Sequence, residues 1–137
     1  NLIEFAVNKN IDFSIPTFII WEGVSSYLNE AAVNASFEFF KKFASGTSII
    51  FTYLHRLALE NPEKFEGAES IHKILNQKEE RWSFGFYPDK LPDYLKSYNL
   101  KLIEDIGISD LRKMFLSNRK NMSGGFDFHR IALVKNF

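Results

Sequence analysis

The sequence predicts an α/β fold in which helices alternate with parallel strands. Residues 17–21 form a short apolar run, typical of a strand buried on both faces. A segment with apolar residues at helical spacing follows, and residues 48–54 form a second apolar run. A strand, a helix and a second strand make up the βαβ unit, whose crossover is nearly always right-handed. The 137 residues suit one domain.

The first part of the chain supplies this unit in order. Residues 1–10 carry apolar side chains on one face, as expected for the end of a helix. Asn29 is a suitable N-cap for the next helix, because its side chain can accept a hydrogen bond from the first turn. Gly46 is placed to cap the C-terminus of that helix. The helix has its apolar positions at Val33, Phe37, Phe40 and Ala44.

The second part predicts further helices and two more strands. Residues 81–87 are too aromatic for an ordinary solvent loop, and Asp89 is placed to cap a helix with Pro92 in its first turn. The other elements are a short helix at 57–60, a polar helix ending near Gln77, a strand at 100–106, a helix at 110–116, a polar loop at 117–125 and a strand at 128–134.

Composition excludes several classes of protein. Seventeen basic and seventeen acidic residues cancel, so we expect neither nucleic acid nor a membrane surface as a partner. The absence of cysteine excludes disulfides and cysteine nucleophiles, and it fits a reducing compartment such as the cytoplasm. No apolar run approaches the roughly 20 residues that span a bilayer. Fifteen phenylalanines indicate a thick core or a surface that binds a partner.

The strongest candidate for a site lies at the end of the first predicted strand. Glu22 and Gly23 follow the apolar run directly, and ligands of open α/β sheets bind beyond the carboxyl ends of the strands. A carboxylate there can accept hydrogen bonds from an ammonium group, and a glycine lets a ligand approach the backbone. Tyr27 lies at the mouth of the same crevice. The alternative is a solvated glutamate in a turn and a tyrosine in the core.

Other patterns that carry chemistry are weak. The three histidines, His55, His72 and His129, have no spacing typical of a metal site. His55 follows the second predicted strand and could line the same sheet edge, although a surface histidine is the simpler interpretation. No Gly-x-Ser-x-Gly motif of a serine hydrolase is present. Trp82 and the neighbouring aromatic residues either cover a ligand pocket or pack onto the sheet.

Several segments together resemble the leucine carboxyl methyltransferase-like family of S-adenosylmethionine-dependent methyltransferases, many of them bacterial O-methyltransferases. Residues 16–24 read Pro-Thr-Phe-Ile-Ile-Trp-Glu-Gly-Val, and Tyr-Leu follows at 27–28. Residues 46–53 are similar to the family's second motif strand, and residues 84–92 are similar to its Phe-Gly-x-x-Pro-x-x-Leu-Pro segment. The strands at 102–105 and 130–133 also fit the family's order.

The resemblance implies a Rossmann-like fold, a three-layer sheet with helices on both faces. This chain would supply the last four of its seven strands, so residues 1–137 are expected to be a single partial domain, the C-terminal half. The implied cofactor is S-adenosylmethionine. Glu22 would contact its methionine part, with Gly23 and Val24 as backbone neighbours. Tyr27 would take the catalytic position beside the methyl group.

The sequence departs from the family pattern in two ways. Thr52 stands where relatives often have an aspartate, and the glycine-rich first turn and the acidic residue after the second strand are absent. The chain also begins at Asn1 without a methionine. We therefore expect a fragment that leaves a strand edge uncovered.

The expected substrate is a small molecule or peptide with an acceptor oxygen. A carboxylate acceptor needs no base, since it is ionised at neutral pH. A hydroxyl acceptor needs one, and Tyr53 and His55 are the candidates as substrate-binding residues. The expected macromolecular partner is the missing N-terminal half or a second copy. The alternatives are a non-catalytic α/β module that dimerises through the uncovered face, and a ligand-binding protein that merely shares the strand-end acid.

Overall fold

A computed structural model describes residues 2–78, 80–116 and 126–137. Its strands form one sheet in the order β1-β2-β4-β3. β1 and β2 are parallel, whereas β4 is antiparallel to both of its neighbours. The predicted α/β class is confirmed. The strands are β1 (Phe18–Trp21), β2 (Ser48–Leu54), β3 (Leu100–Gly107) and β4 (His129–Asn136).

Helices connect the strands and begin close to their predicted positions. Asn29 is the N-cap of α2, and its side chain accepts the N–H of Ala32 at 2.9 Å, as predicted. Single 3₁₀ turns cover Ser25–Tyr27 and Pro62–Lys64. The helices are α1 (Leu2–Asn8), α2 (Glu30–Phe40), α3 (Leu57–Glu60), α4 (Ala68–Gln77), α5 (Leu91–Lys96) and α6 (Ile108–Leu116).

Two predicted caps are wrong. Helix α2 ends at Phe40, so Gly46 does not cap it; Gly46 has φ of +91° and forms the turn into β2. Its N–H donates to the carbonyl of Asn136 at 2.9 Å, which explains why the chain turns there. Asp89 does not cap α5 either, because Lys90 occupies the N-cap position without a side-chain hydrogen bond. The predicted polar loop at 117–125 lies outside the described residues.

An aromatic core fills one face of the sheet, under α2 and α5. The Phe37 ring lies at its centre and makes edge-to-face contacts, which are favourable for aromatic pairs, with the rings of Trp21, Phe40, Phe51, Phe86 and Tyr94. Most of the phenylalanines of α2 and β2 are used here. The high phenylalanine content therefore builds a core in part, while other phenylalanines such as Phe5 and Phe18 remain more than half exposed.

The opposite face of the sheet is less covered. Phe18 is 61% exposed and Ile20 is 67% exposed, so the prediction that this strand is buried on both faces is wrong. Alternate residues of a strand point to opposite sides. On this second face, Leu54 at the end of β2 packs against Ala58 of α3 and Ala68 of α4, but Phe18 and Ile20 of β1 stay exposed. The third layer of the predicted architecture is therefore not formed over β1 by the described residues.

The segment Phe84–Phe86 extends the sheet at the end of β2. The Phe86 N–H donates to the Leu54 carbonyl at 2.9 Å, and the Arg56 N–H donates to the Phe86 carbonyl at 2.8 Å. Gly85 lies against this backbone, and a Cβ atom there would be 2.7 Å from the Leu54 oxygen. The Phe-Gly pair of the sequence motif therefore reflects a close backbone approach.

Candidate functional site

The turn that follows β1 is fixed to the end of β2. Gly23 has φ of +69°, a conformation that favours glycine, and its N–H donates to the Thr52 hydroxyl at 2.7 Å. The buried Ser25 hydroxyl donates to the Thr52 carbonyl at 2.8 Å. These two hydrogen bonds hold the segment from Glu22 to Tyr27 at the carboxyl ends of both parallel strands.

Glu22 lies on the rim of a cavity of about 270 Å³. Its side chain is exposed and makes no hydrogen bond or ion pair with a residue of the described ranges. The carboxylate is thus beside a cavity and is not held by an internal arginine. An unpaired carboxylate in this position can accept hydrogen bonds from a ligand cation. The cavity is lined by Phe18, Ile20, Glu22, Ile50, Phe51, Thr52 and Ile131.

Tyr27 lines a second cavity, of about 240 Å³, to which Gly23 of the same turn also contributes. Thr52 belongs to the walls of both cavities, so Glu22 and Tyr27 face adjoining spaces. Tyr27 is 46% exposed at the end of its 3₁₀ turn. The second cavity is lined by Gly23, Ser26, Tyr27, Thr52, Tyr53, Leu54, Ile71, Leu75, Trp82 and His129.

Gly23 and Val24 contribute to the candidate site through their backbone. A Cβ atom at Gly23 would meet nothing within 4 Å, so space for a ligand is present beside this residue. The Val24 side chain is 40% exposed, and its carbonyl accepts the N–H of Tyr27 at 3.1 Å. Both residues therefore shape the turn that carries Glu22 and Tyr27.

Tyr53, predicted to contact the substrate, has its hydroxyl engaged in the interior. The side chain is 2% exposed, and its hydroxyl donates to Asp105 at 2.8 Å and accepts from the Arg130 Nε at 3.1 Å. Burial, followed by the Asp105 carboxylate, raises the pKa of Tyr53 well above that of a free phenol. A phenol that ionises so reluctantly is a poor general base.

His55 is not brought to the same place as Glu22 and Tyr27, since it lines neither cavity. Its ring lies 5.2 Å from the Phe65 ring, and its Nδ1 accepts the N–H of Leu57 at 3.2 Å. Burial, with a smaller effect of the Arg130 charge, lowers the pKa of His55 below that of a free imidazole. The imidazole thus has a local structural partner.

Sequence reasoning did not select His129, which the structure places in the cavity of Tyr27. His129 pairs with Leu54 across the antiparallel strands, so its position depends on the register of β4. Trp82 covers the same cavity and crosses the His129 ring at 5.7 Å and 87°. Trp82 thus lines this cavity and also packs against the cluster of Leu54 and Phe128, whereas Phe84 and Phe86 pack in the core.

Residues 2–78, 80–116 and 126–137 contain neither a cluster of metal ligands nor a membrane-spanning helix. No group of three or more histidine, aspartate or glutamate side chains there could hold a metal ion. None of the helices in these ranges has the length and apolar character that crossing a bilayer requires.

Comparisons with known proteins concern the fold. No family model matches the sequence, and no curated protein matches it. A candidate methyltransferase from Thermobifida fusca superposes with a TM-score of 0.62 at 17% identity, over 95% of this chain and 47% of that protein. A DUF574-family protein from Streptomyces avermitilis gives 0.64 at 10% identity, over 100% of this chain and 53% of that protein.

A third solved structure carries a bound ligand. PKMT2 from Rickettsia typhi, in complex with AdoHcy, superposes with a TM-score of 0.50 at 14% identity, over 93% of this chain and 37% of that protein. The chain spans about half the length of the first two structures that it matches. At these identities the likeness shows a shared Rossmann-like α/β fold and no more.

Proposed function

We propose that residues 1–137 are the C-terminal half of an S-adenosylmethionine-dependent O-methyltransferase. The observation that carries the proposal is the unpaired Glu22 carboxylate, which lies beside a cavity at the carboxyl end of β1. Open α/β sheets bind their ligands at this place. The match to about half of each larger protein supports the assignment as a partial domain.

The residues present fit one end of the cofactor. Glu22 would hold the ammonium group of its methionine part, and the open space at Gly23 leaves room for close approach. S-adenosylmethionine, when bound, supplies a methyl group on a sulfonium, which is transferred by in-line displacement. The chain's own task is therefore to position the acceptor and to exclude water. Tyr27, on the adjoining cavity, is placed to orient the acceptor.

The remaining contacts are expected from the N-terminal half, which we propose as the partner of the exposed sheet face. Phe18 and Ile20 are more than half exposed on that face. Neighbouring exposed apolar residues of this kind mark interaction surfaces. The 137 residues alone should therefore bind the cofactor weakly or not at all. We place the protein in the cytoplasm because a cysteine-free composition fits a reducing compartment.

Glu22→Gln in the natural polypeptide that contains this chain tests the proposal. A hydrogen bond between charged groups contributes about 1.5–3 kcal/mol, so calorimetry should show cofactor affinity reduced about 10- to 150-fold. Stability in urea should change by less than about 0.5 kcal/mol, since the side chain has no partner among the described residues. Glu63→Gln, at an exposed glutamate that lines neither cavity, is the matched control.

Three outcomes would count against this assignment. Equal losses of affinity and stability in Glu22→Gln would return this residue to a structural role. Cofactor affinity unaffected by Glu22→Gln would show that Glu22 is not part of the cofactor site. Tight cofactor binding to the isolated 137 residues would contradict the partial-domain proposal.

A further inference from the structure

The cavity beside Tyr27 has walls without a charged side chain. Its lining in the described part of the chain is apolar or neutral, and its ionisable members are Tyr27, Tyr53 and His129. A carboxylate in such a cavity would lose its hydration without gaining a cationic partner, which is strongly unfavourable. The cavity therefore favours an uncharged occupant.

The size and walls of the cavity suit a single aromatic ring. Its volume is about 240 Å³, whereas a dry cavity of about 150 Å³ is enough to bind benzene. Trp82 forms one wall and is held by ring contacts to His72 at 5.0 Å and to Phe128 at 5.6 Å. Aliphatic walls come from Leu54, Ile71 and Leu75.

His129 is the group in this cavity whose ordinary pKa lies nearest neutrality. Its ring nitrogens make no hydrogen bond with a residue of the described ranges, in contrast to the Nδ1 of His55. Burial lowers the pKa of His129 and so favours the neutral imidazole, in which one ring nitrogen is a proton acceptor.

We propose that this cavity holds a small neutral aromatic hydroxyl compound, a phenol, and that His129 accepts its proton. The assignment rests on the proposed methyltransferase function and names its acceptor class. As the phenol oxygen bonds to the methyl carbon, the carbon–sulfur bond breaks and its electron pair returns to sulfur. The hydroxyl proton passes to the imidazole and then to solvent. The products are an aryl methyl ether and a neutral thioether.

Binding to the natural polypeptide that contains this chain tests the acceptor class without the cofactor. The probes are 4-methylphenol, 4-methylbenzoate and toluene, which share a ring and a methyl group. We expect 4-methylphenol to shift the NMR signals of the Trp82 indole and the His129 ring. We also expect it to bind at least about tenfold more tightly than 4-methylbenzoate, which corresponds to about 1.4 kcal/mol.

The role of His129 is tested by comparing 4-methylphenol with toluene. His129→Phe keeps a ring in the wall but removes the proton acceptor, so the preference for 4-methylphenol over toluene should fall at least fivefold. His55→Gln, at a histidine outside the cavity, should leave that preference unchanged. In the natural polypeptide with S-adenosylmethionine, His129→Gln should lower kcat for 4-methylphenol about 100-fold with cofactor affinity unchanged.

The outcomes distinguish a failure of the phenol proposal from a failure of the proposed methyltransferase function. Binding of 4-methylbenzoate as tight as that of 4-methylphenol, or no shift at Trp82, overturns the acceptor class even where Glu22→Gln behaves as expected. If the phenol binds selectively but Glu22→Gln leaves cofactor binding unchanged, the aromatic cavity is supported and the methyltransferase assignment is refuted. The comparison of 4-methylphenol with 4-methylbenzoate uses the wild-type protein. The acceptor class is therefore tested even if a His129 variant fails to fold.

Discussion

Replacing Gly85 by alanine should destabilise the protein by steric overlap with backbone atoms. The new Cβ atom would lie 2.7 Å from the Leu54 carbonyl oxygen and 3.0 Å from the Arg56 Cα atom. Nonbonded carbon–oxygen contacts normally measure about 3.3–3.6 Å, so one of the two segments has to move by about 0.6 Å or more. No flexible side chain is available to absorb this shift.

The movement would weaken the hydrogen bonds that join the Phe86 segment to β2. Both are short, at 2.9 Å from the Phe86 N–H to Leu54 and at 2.8 Å from the Arg56 N–H to Phe86. Each contributes about 1 kcal/mol, and overpacking a tight site costs about 1–3 kcal/mol. We therefore expect the free energy of unfolding to fall by about 2–4 kcal/mol, which lowers the Tm by about 10 °C.

Urea titration followed by far-ultraviolet circular dichroism measures this loss, and Gly23→Ala is the matched control. Gly23 has φ of +69°, but a Cβ atom there meets nothing within 4 Å. Its cost is thus limited to backbone strain of about 1–2 kcal/mol. If Gly85→Ala lowered the free energy of unfolding no more than Gly23→Ala does, the close approach of the two backbones would not be the reason for glycine at position 85.

Two further substitutions probe the groups beside the cavities. Thr52→Val removes the acceptor of the Gly23 N–H and should lower the free energy of unfolding by about 1 kcal/mol in urea, whereas Thr52→Ser should preserve it; a loss in both variants would assign the effect to packing. The protein should lose stability as pH rises above about 10, because unfolded Tyr53 ionises there while its folded pKa is raised by burial and by Asp105. Tyr53→Phe should reduce the loss of unfolding free energy above about pH 10 by up to about 1.4 kcal/mol per pH unit. If thermal scans gave the same pH dependence for both proteins, Tyr53 would not be its cause.

Local patterns were enough to predict most elements and the pairing of β1 with β2, but not the position of β4 in the sheet. The parallel pairing of β1 and β2 follows from a strand–helix–strand order, and Asn29 follows from the chemistry of a helix start. The insertion of β4 between β2 and β3 joins segments about 80 residues apart along the chain, and no local signal encodes that register. His129 escaped prediction for this reason, since it reaches the cavity only by pairing with Leu54.

Tyr53 illustrates the same limit at a single side chain. Tyr53 lies two residues from Phe51 along β2 and therefore on the same, core-facing side of the strand. This spacing can be read directly from the sequence. Its partners do not follow from alternation, because Asp105 and Arg130 lie 52 and 77 residues away along the chain. The substrate-binding role of Tyr53 stays a prediction: its side chain lines the cavity of Tyr27, while long-range contacts hold its hydroxyl.

Thr52 connects the strand-end turn with the chemistry proposed for the two cavities. The threonine hydroxyl accepts the Gly23 N–H, and Thr52 lies in the wall of both cavities. An aspartate could accept the same hydrogen bond, but it would add a negative charge to the cavity of His129. Such a charge would lose its hydration in a cavity whose walls carry no cationic side chain, which is unfavourable. A neutral residue at position 52 is therefore consistent with two separate tasks, in which Glu22 binds a cation and the adjoining cavity holds an uncharged acceptor.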